Sequence, residues 1–322
     1  MSGRKHRIFI DGREGTTGLK LFERLAARGD TELLAIAEDR RKDPGSRLAR
    51  IAEAEIAFLC LPDEASREIA AAVAASGIGT RLIDASTAFR TSPEWVYGLP
   101  ELTRTQSAEI RAAGRVAVPG CHATGFILIA RPLIEAGVVD ADYPFSFHSV
   151  TGYSGGGRKM IDAYARRNDV KAPRQYGLSQ AHKHLPEIEA FSGAGAPVLF
   201  NPIVSDYYSG MLVSVPLHAE LFRRKLRLRE LYELFAARYE GRPLVRVVEP
   251  GRESEDGFLP ADALAGRDDL EILFLGNDAR IVIAARYDNL GKGASGAAIQ
   301  CMNLMLGLPE AYGLRLERQT EQ

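Results

Sequence analysis

The apolar positions of the first 120 residues fall into short blocks separated by longer, amphipathic ones. Residues 7–10, 32–37, 54–61, 81–84 and 115–118 read as buried strands, the third closed by Pro62. Between the first two, Leu19, Phe22, Leu25 and Ala26 recur at helical spacing, which predicts a helix from Thr17 that Gly29 stops. After Pro62, Ile69 and Val73 mark a second helix, with Asp63 as its cap and Gly77 as its terminator. Strands alternating with helices of this length imply right-handed crossovers and a parallel sheet, with ligands bound beyond the carboxyl ends of its strands.

Beyond Cys121 the texture changes. Residues 144–150, 212–216 and 280–287 read as strands with irregular connections. Residues 227–239 form a helix candidate on Leu231, Leu234 and Phe235, and 294–306 a final one on Ile299, Met302, Leu304 and Met305. This pattern fits an α+β domain better than further doubly wound units. The predicted fold class is thus α/β, a Rossmann-type parallel-sheet nucleotide domain followed by an α+β domain.

Composition removes several functions. The 322 residues carry 41 Lys+Arg against 42 Asp+Glu, a net charge of -1, which disfavours a nucleic-acid partner. No apolar run approaches the roughly 18 residues needed to span a bilayer, so no membrane partner is expected. The basic start, residues 1–7, lacks the apolar core of a signal peptide. The three cysteines, Cys60, Cys121 and Cys301, form no CxxC pair, which argues against a disulfide framework or a cysteine zinc site. A cytoplasmic protein without a structural metal is expected.

Some of the remaining polar positions carry candidate chemistry. Gly12, Gly15 and Gly18, with Thr16 and Thr17, follow a strand and open a helix. Their GxxGxxG spacing fits either a loop that cradles a pyrophosphate or a plain tight turn. Glu38 stands roughly 20 residues past Gly18, where an acid would hold a ribose. Arg40, Arg41 and Lys42 directly beyond it favour the 2′-phosphate of NADP over a merely solvated charge run. Cys121 follows Pro119-Gly120 at a strand-to-helix turn. A helix amino end stabilises a thiolate and offers N–H groups to an oxyanion. Cys60 and Cys301 lie in apolar runs and read as small core residues. A nucleophilic thiol needs a proton partner, and His182-Lys183-His184-Leu185-Pro186-Glu187 offers two imidazoles and a carboxylate. The same segment would serve zinc only with a third ligand, which its spacing does not nominate. The run 151–159, with Gly155, Gly156 and Gly157 before Arg158 and Lys159, is either an anion-binding nest or a flexible loop.

Seven segments in this order resemble the short form of the N-acetyl-gamma-glutamyl-phosphate reductase family, within the aspartate-semialdehyde dehydrogenase-like group. They are residues 10–19, 84–90, 97–101, 119–121, 151–157, 182–187 and 288–296. The resemblance runs from Ile8 to about Leu308 and departs from the family's usual Asn and Tyr at Val118 and His122.

It implies domains at 1–120 for NADP(H), 121–290 for catalysis, substrate and dimerisation, and 291–322 as a helix returning to the first domain. It also implies that Cys121 is the nucleophile and His182 the acid/base, with His184 and Glu187 in support. Around NADP(H) it places Gly12, Gly15, Thr16, Thr17, Gly18, Arg40, Arg41, Leu61, Pro62, Ser86, Ser154, Gly155 and Asn289. Arg90 and Arg158 would meet substrate anions, and no metal enters. The implied reaction is NADPH-dependent reduction of N-acetyl-gamma-glutamyl phosphate to the semialdehyde, with release of phosphate, through a cysteine thioester. A homodimer or homotetramer is the implied assembly. The alternatives are a reductase of N-acetyl-aminoadipyl or aspartyl phosphate and a non-catalytic NADP-binding sensor.

Overall fold

The computed structural model describes residues 4–166, 172–254 and 256–317. They divide into two compact units. The first comprises residues up to Pro100, Thr105–Pro119 and Ala297–Gly313. Its strands are β1 (His6–Asp11), β2 (Thr31–Leu34), β3 (Ile56–Leu59), β4 (Arg81–Asp84), β5 (Val96–Tyr97) and β6 (Arg115–Ala117). Every ladder is parallel, in the order β2-β1-β3-β4-β6-β5. The helices between them are α1 (Thr16–Ala26), α2 (Pro44–Glu53), α3 (Asp63–Ala75) and α4 (Gln106–Ala112). β3 is buried along its whole length, as a parallel strand covered on both faces must be. Because β2 lies on one side of β1 and β3 on the other, the strand order reverses there, and open α/β sheets bind their ligands beyond the carboxyl ends of strands at such a point.

Local chemistry moves several element ends. The second strand stops at Leu34 instead of running to Ala37, since Glu38–Arg40 turns as a 3₁₀ helix. Asp63 is the first residue of α3 and not its cap; its carboxylate instead accepts the Thr87 N–H and hydroxyl. The charged stretch after Lys42 folds as α2, started by Asp43, whose side chain accepts the Ser46 N–H at 2.7 Å, and by Pro44.

The second unit comprises Glu101–Arg104, Gly120–Gly296 and the residues from Leu314. It opens with α5 (Cys121–Glu135), whose residues 122–130 are all buried. A helix apolar on every side must be enclosed, and α5 packs against sheet strands and another helix. The sheet takes β7 (Ser146–Gly152), β8 (Arg174–Gln175), β9 (Leu199–Ser205), β10 (Met211–Leu217), β11 (Val245–Val247), β12 (Leu270–Asn277) and β13 (Arg280–Tyr287). Its order is β11-β12-β13-β10-β7-β9-β8, with parallel and antiparallel ladders mixed. Helices α6 (Gly157–Arg166), α7 (Leu185–Ser192) and α8 (Leu228–Tyr239) complete the unit. Phe126 of α5 stacks on Phe147, and Phe147 on Phe200, each at 4.5 Å between centroids, which fixes helix against sheet.

The segment Glu101–Arg104 is held in this unit by polar bonds. Lys292 Nζ reaches both Glu101 oxygens at 2.8 Å with both side chains fully buried, and Arg238 and Arg242 donate to the Leu102 and Thr103 carbonyls. The last helix, α9 (Gly296–Met305), starts two residues later than its apolar pattern predicts, because Gly291–Ser295 first makes a π turn. From Ala297 on it belongs to the first unit, where the Cys301 thiol donates to the Gly98 carbonyl at 3.3 Å.

Candidate active site

In the first unit, the loops after β1 and β3 meet at Gly12. Its φ is +83°, and a Cβ there would stand 2.3 Å from the Cys60 carbonyl oxygen, so only glycine serves. A Cβ on Gly18 would come as close to the Gly12 carbonyl oxygen, at 2.4 Å, whereas Gly15 faces open space with its nearest neighbour at 3.5 Å. Gly15 caps α1 without a side-chain bond, and the first turn holds no acid. The amides of Thr16, Thr17 and Gly18 therefore have no acceptor within the helix, and its positive end is uncompensated. This cradle fits a dinucleotide phosphate.

Around the cradle, Pro62 is exposed and Leu61 half-buried after β3. Ser86, beyond β4, is turned inward: its hydroxyl donates to Asp84 at 2.7 Å and accepts the Ala88 N–H at 3.0 Å. Asp84 also accepts the Ser66 hydroxyl at 2.6 Å; burial pushes its carboxyl up, against the pull of those serines and Arg90. Arg40 and Arg41 are exposed beyond β2, with Arg41 on Glu38 at 3.1 Å. Arg47, which no sequence motif marks, sends Nε and Nη2 to one Asp11 oxygen at 2.9 and 2.7 Å and braces the β1 turn. Arg90 is buried, and its Nε donates to the Val118 carbonyl at 2.9 Å.

In the second unit, Cys121 is half-buried at the first position of α5. The Gly120 N–H donates to Glu187 Oε2 at 3.0 Å, and the Thr124 N–H and hydroxyl both return to the Gly120 carbonyl. The amides of His122 and Ala123, in the first turn, have no acceptor inside the helix, and such a helix end stabilises a thiolate or an oxyanion. Gly293, in the π turn, makes room for the nucleophile candidate: a Cβ there would lie 2.8 Å from Cys121 Cβ.

The two histidines of the HxH segment gather at the same turn. His184 directly precedes α7, and its N–H donates to His182 Nδ1 at 3.1 Å. That bond occupies the Nδ1 lone pair, so neutral His182 carries its proton on Nε2. The rings lie 4.7 Å apart, and both lie against His122, at 5.7 and 5.5 Å. His122 itself bonds Ser149 Oγ at 2.6 Å through Nδ1 and Tyr176 Oη at 2.7 Å through Nε2. Burial, with the charges of His182 and Lys183, pushes its pKa down to about 3, so His122 is neutral. Burial and the Cys121 charge push the Tyr176 phenol up, so it stays protonated. Neither Ser149 nor Tyr176 stands out in the sequence, because only the pairing of β7 with α5 and the loop after β8 gives them partners.

Ser154 and Asn289 are brought together: Asn289 Nδ2 donates to Ser154 Oγ at 3.0 Å, and its Oδ1 accepts the Gly210 N–H at 2.8 Å. Gly155 is exposed beside them, in the 3₁₀ turn that leads β7 into α6. Arg158 is exposed on α6 and paired with Asp162 at 3.1 Å. Among the described residues no group of three or more His, Cys, Asp or Glu is placed to hold a metal ion.

Residues 121–289 match the family described as semialdehyde dehydrogenase, dimerisation domain, and residues 7–110 its NAD binding domain. An N-acetyl-gamma-glutamyl-phosphate reductase 2 of Pseudomonas putida is 43% identical over 310 residues, covering 95% of this chain and 98% of its own. The chain belongs to the N-acetyl-gamma-glutamyl-phosphate reductase family. A second reductase of the family, from Nostoc sp., is 41% identical and covers 96% and 99% of the two chains. Among solved structures, aspartate semialdehyde dehydrogenase II of Vibrio cholerae superposes with a TM-score of 0.69 at 16% identity, covering 95% of this chain and 99% of that one. The Candida albicans enzyme with NADP gives 0.63 at 12% identity, covering 94% and 98%. These two share the fold, a parallel-sheet dinucleotide unit joined to a mixed-sheet unit.

Proposed function

We propose that this chain reduces N-acetyl-gamma-glutamyl phosphate to the semialdehyde, with release of phosphate and use of NADPH. The observation that carries the reading is Cys121 at the amino end of α5, with Glu187 bonded to the preceding amide and His182 beside the following residue, in a chain of this family. The Cys121 thiolate attacks the acyl carbon, and the C–O bond to phosphate breaks, leaving a thioester. The first-turn amides of α5 receive the charge that develops on the carbonyl oxygen. His182 exchanges the proton at Nε2 as the thiohemiacetal collapses to aldehyde and thiol. NADPH, when bound, supplies the hydride that reduces the thioester carbon.

The residues that would hold the cofactor are the cradle Gly12, Gly15, Thr16, Thr17 and Gly18, with Arg40 and Arg41 toward a 2′-phosphate. Leu61, Pro62, Ser86, Ser154, Gly155 and Asn289 complete the set, and Arg90 and Arg158 are assigned to the substrate's anionic groups. The assigned domains are 1–120, 121–290 and 291–322. The assembly is a homodimer or homotetramer in the cytoplasm, in keeping with the dimerisation family matched.

The test is phosphate-dependent oxidation of N-acetyl-glutamate semialdehyde with NADP, followed by the appearance of NADPH. The aspartate and N-acetyl-aminoadipate semialdehydes run alongside. One methylene separates pockets by only ~1–3 kcal/mol, so the expected result is a ratio of about 10-fold or more in favour of the glutamate compound. A higher kcat/KM with either rival overturns the substrate assignment. Turnover by Cys121→Ser above about one thousandth of the parent overturns the thioester route.

A further inference from the structure

One tyrosine of the second unit holds the backbone of the nucleophile itself. Tyr287 ends β13 with its side chain fully buried, and its hydroxyl reaches the first turn of α5. There it touches both members of an i, i+4 pair, the Cys121 carbonyl at 2.5 Å and the Gly125 N–H at 3.0 Å. The direction of these bonds is unambiguous. The Gly125 amide can only donate, so the phenolic proton goes to the Cys121 carbonyl. Space for this contact is built in, since a Cβ on Gly125 would stand 2.7 Å from Tyr287 Oη and 2.9 Å from Val213 Cγ2. Burial, and then the Cys121 charge, push the Tyr287 phenol well up, so that proton stays in place.

The Cys121 carbonyl and the His122 N–H belong to one rigid peptide plane. Gripping the carbonyl sets the direction of that N–H, which has no acceptor within the helix. Donation to the carbonyl also polarises the amide and strengthens its N–H as a donor. We propose that Tyr287 is a positioning residue that acts through the Cys121–His122 peptide, aiming and strengthening the His122 N–H toward the oxyanion formed when a carbonyl is attacked. The inference rests on Cys121 being the nucleophile, and Cys121→Ser tests that reading separately.

The experiment compares two reactions of the same thiol in Tyr287→Phe. Reduction of the acyl phosphate passes through tetrahedral oxyanions, whereas alkylation of Cys121 by iodoacetamide is a displacement at a saturated carbon and forms none. Removing a direct oxyanion donor costs about 10²–10³ in kcat. Weakening one at second hand is expected to lower kcat roughly tenfold, with KM and the Cys121 alkylation rate each within about twofold of the parent. An unchanged kcat, a loss carried by KM alone, or equal losses in turnover and alkylation overturns the proposal. Should Tyr287→Phe not fold, 3-fluorotyrosine placed at position 287 keeps the shape and makes the hydroxyl a stronger donor. Then kcat is expected to rise up to about twofold with alkylation unchanged, and a kcat that stays level or falls overturns the proposal.

Discussion

Cys60 and Cys121 occupy similar positions in the chain and opposite electrostatic surroundings. Each comes just after a strand of the parallel sheet and at or before the start of a helix, β3 and α3 for one, β6 and α5 for the other. Cys60 has Asp84 and Asp11 for neighbours, and burial followed by those two carboxylates pushes its thiol up. Cys121 is itself the first residue of its helix, beside amides that lack acceptors within it. The difference teaches that being at a strand-to-helix turn does not make a thiol reactive. What matters is the charge around the sulfur: carboxylates such as Asp84 and Asp11 hold a thiol protonated, whereas a helix amino end favours the thiolate.

The largest test of this contrast is direct. At neutral pH, iodoacetamide is expected to label Cys121 at least about 10³ times faster than Cys60 in the folded protein, read by mass spectrometry of the two peptides. Comparable labelling of both would erase the contrast.

A smaller effect concerns the neutral imidazole beside Cys121. His122 is held near a pKa of about 3 in the folded chain, while the unfolded chain titrates it near the ordinary 6.5. As pH falls below 6.5, the unfolded state takes up the extra proton first. The stability linked to His122 is therefore complete above that pH and drains as pH drops toward about 3. Between pH 7 and pH 5 the loss is about 2 kcal/mol, read from urea unfolding. In His122→Gln this part of the acid limb is expected to flatten, and an unaltered slope would show that the enclosure does not hold the ring neutral.

The smallest sharpens the Cys121 side alone. Glu187 accepts the Gly120 N–H as a buried charged partner, and Glu187→Gln retains the shape but only a neutral acceptor. We expect kcat to fall about tenfold, since charge-assisted hydrogen bonds are roughly twice as strong as neutral ones. An unchanged kcat would make Glu187 a packing residue only.

Much of the first unit was legible because parallel strands are continuous apolar runs, as with residues 56–59, and because glycines punctuate them. Helix α2 was missed: Asp43-Pro44 is a helix-start signal, but Arg47, Arg50 and Glu53 leave little apolar periodicity behind it. The apolar run of β12, residues 272–275, was equally visible in the pattern but is absent from the predicted strands. Of the catalytic candidates, Cys121 and the HxH pair stood out through turn chemistry and spacing. Ser149, Tyr176 and Tyr287 did not, because each gains its meaning from a partner at least 27 residues away, such as His122 for Ser149. Tyr287 meets Cys121 across 166 residues, and no local pattern records that.

The placement of α9 has a consequence for the order in which the protein is made. The Gly98 backbone leaves no room between Val116 and Cys301; a Cβ there would stand 3.0 Å from both side chains. Arg81 likewise closes on the Met305 carbonyl. Yet Ala297 leaves the ribosome only after the whole of 120–296, which at about 5–20 residues per second takes roughly 10–35 s. Until then α9 is not there to meet Gly98 and Arg81, so the first unit can be completed only after the second has been made.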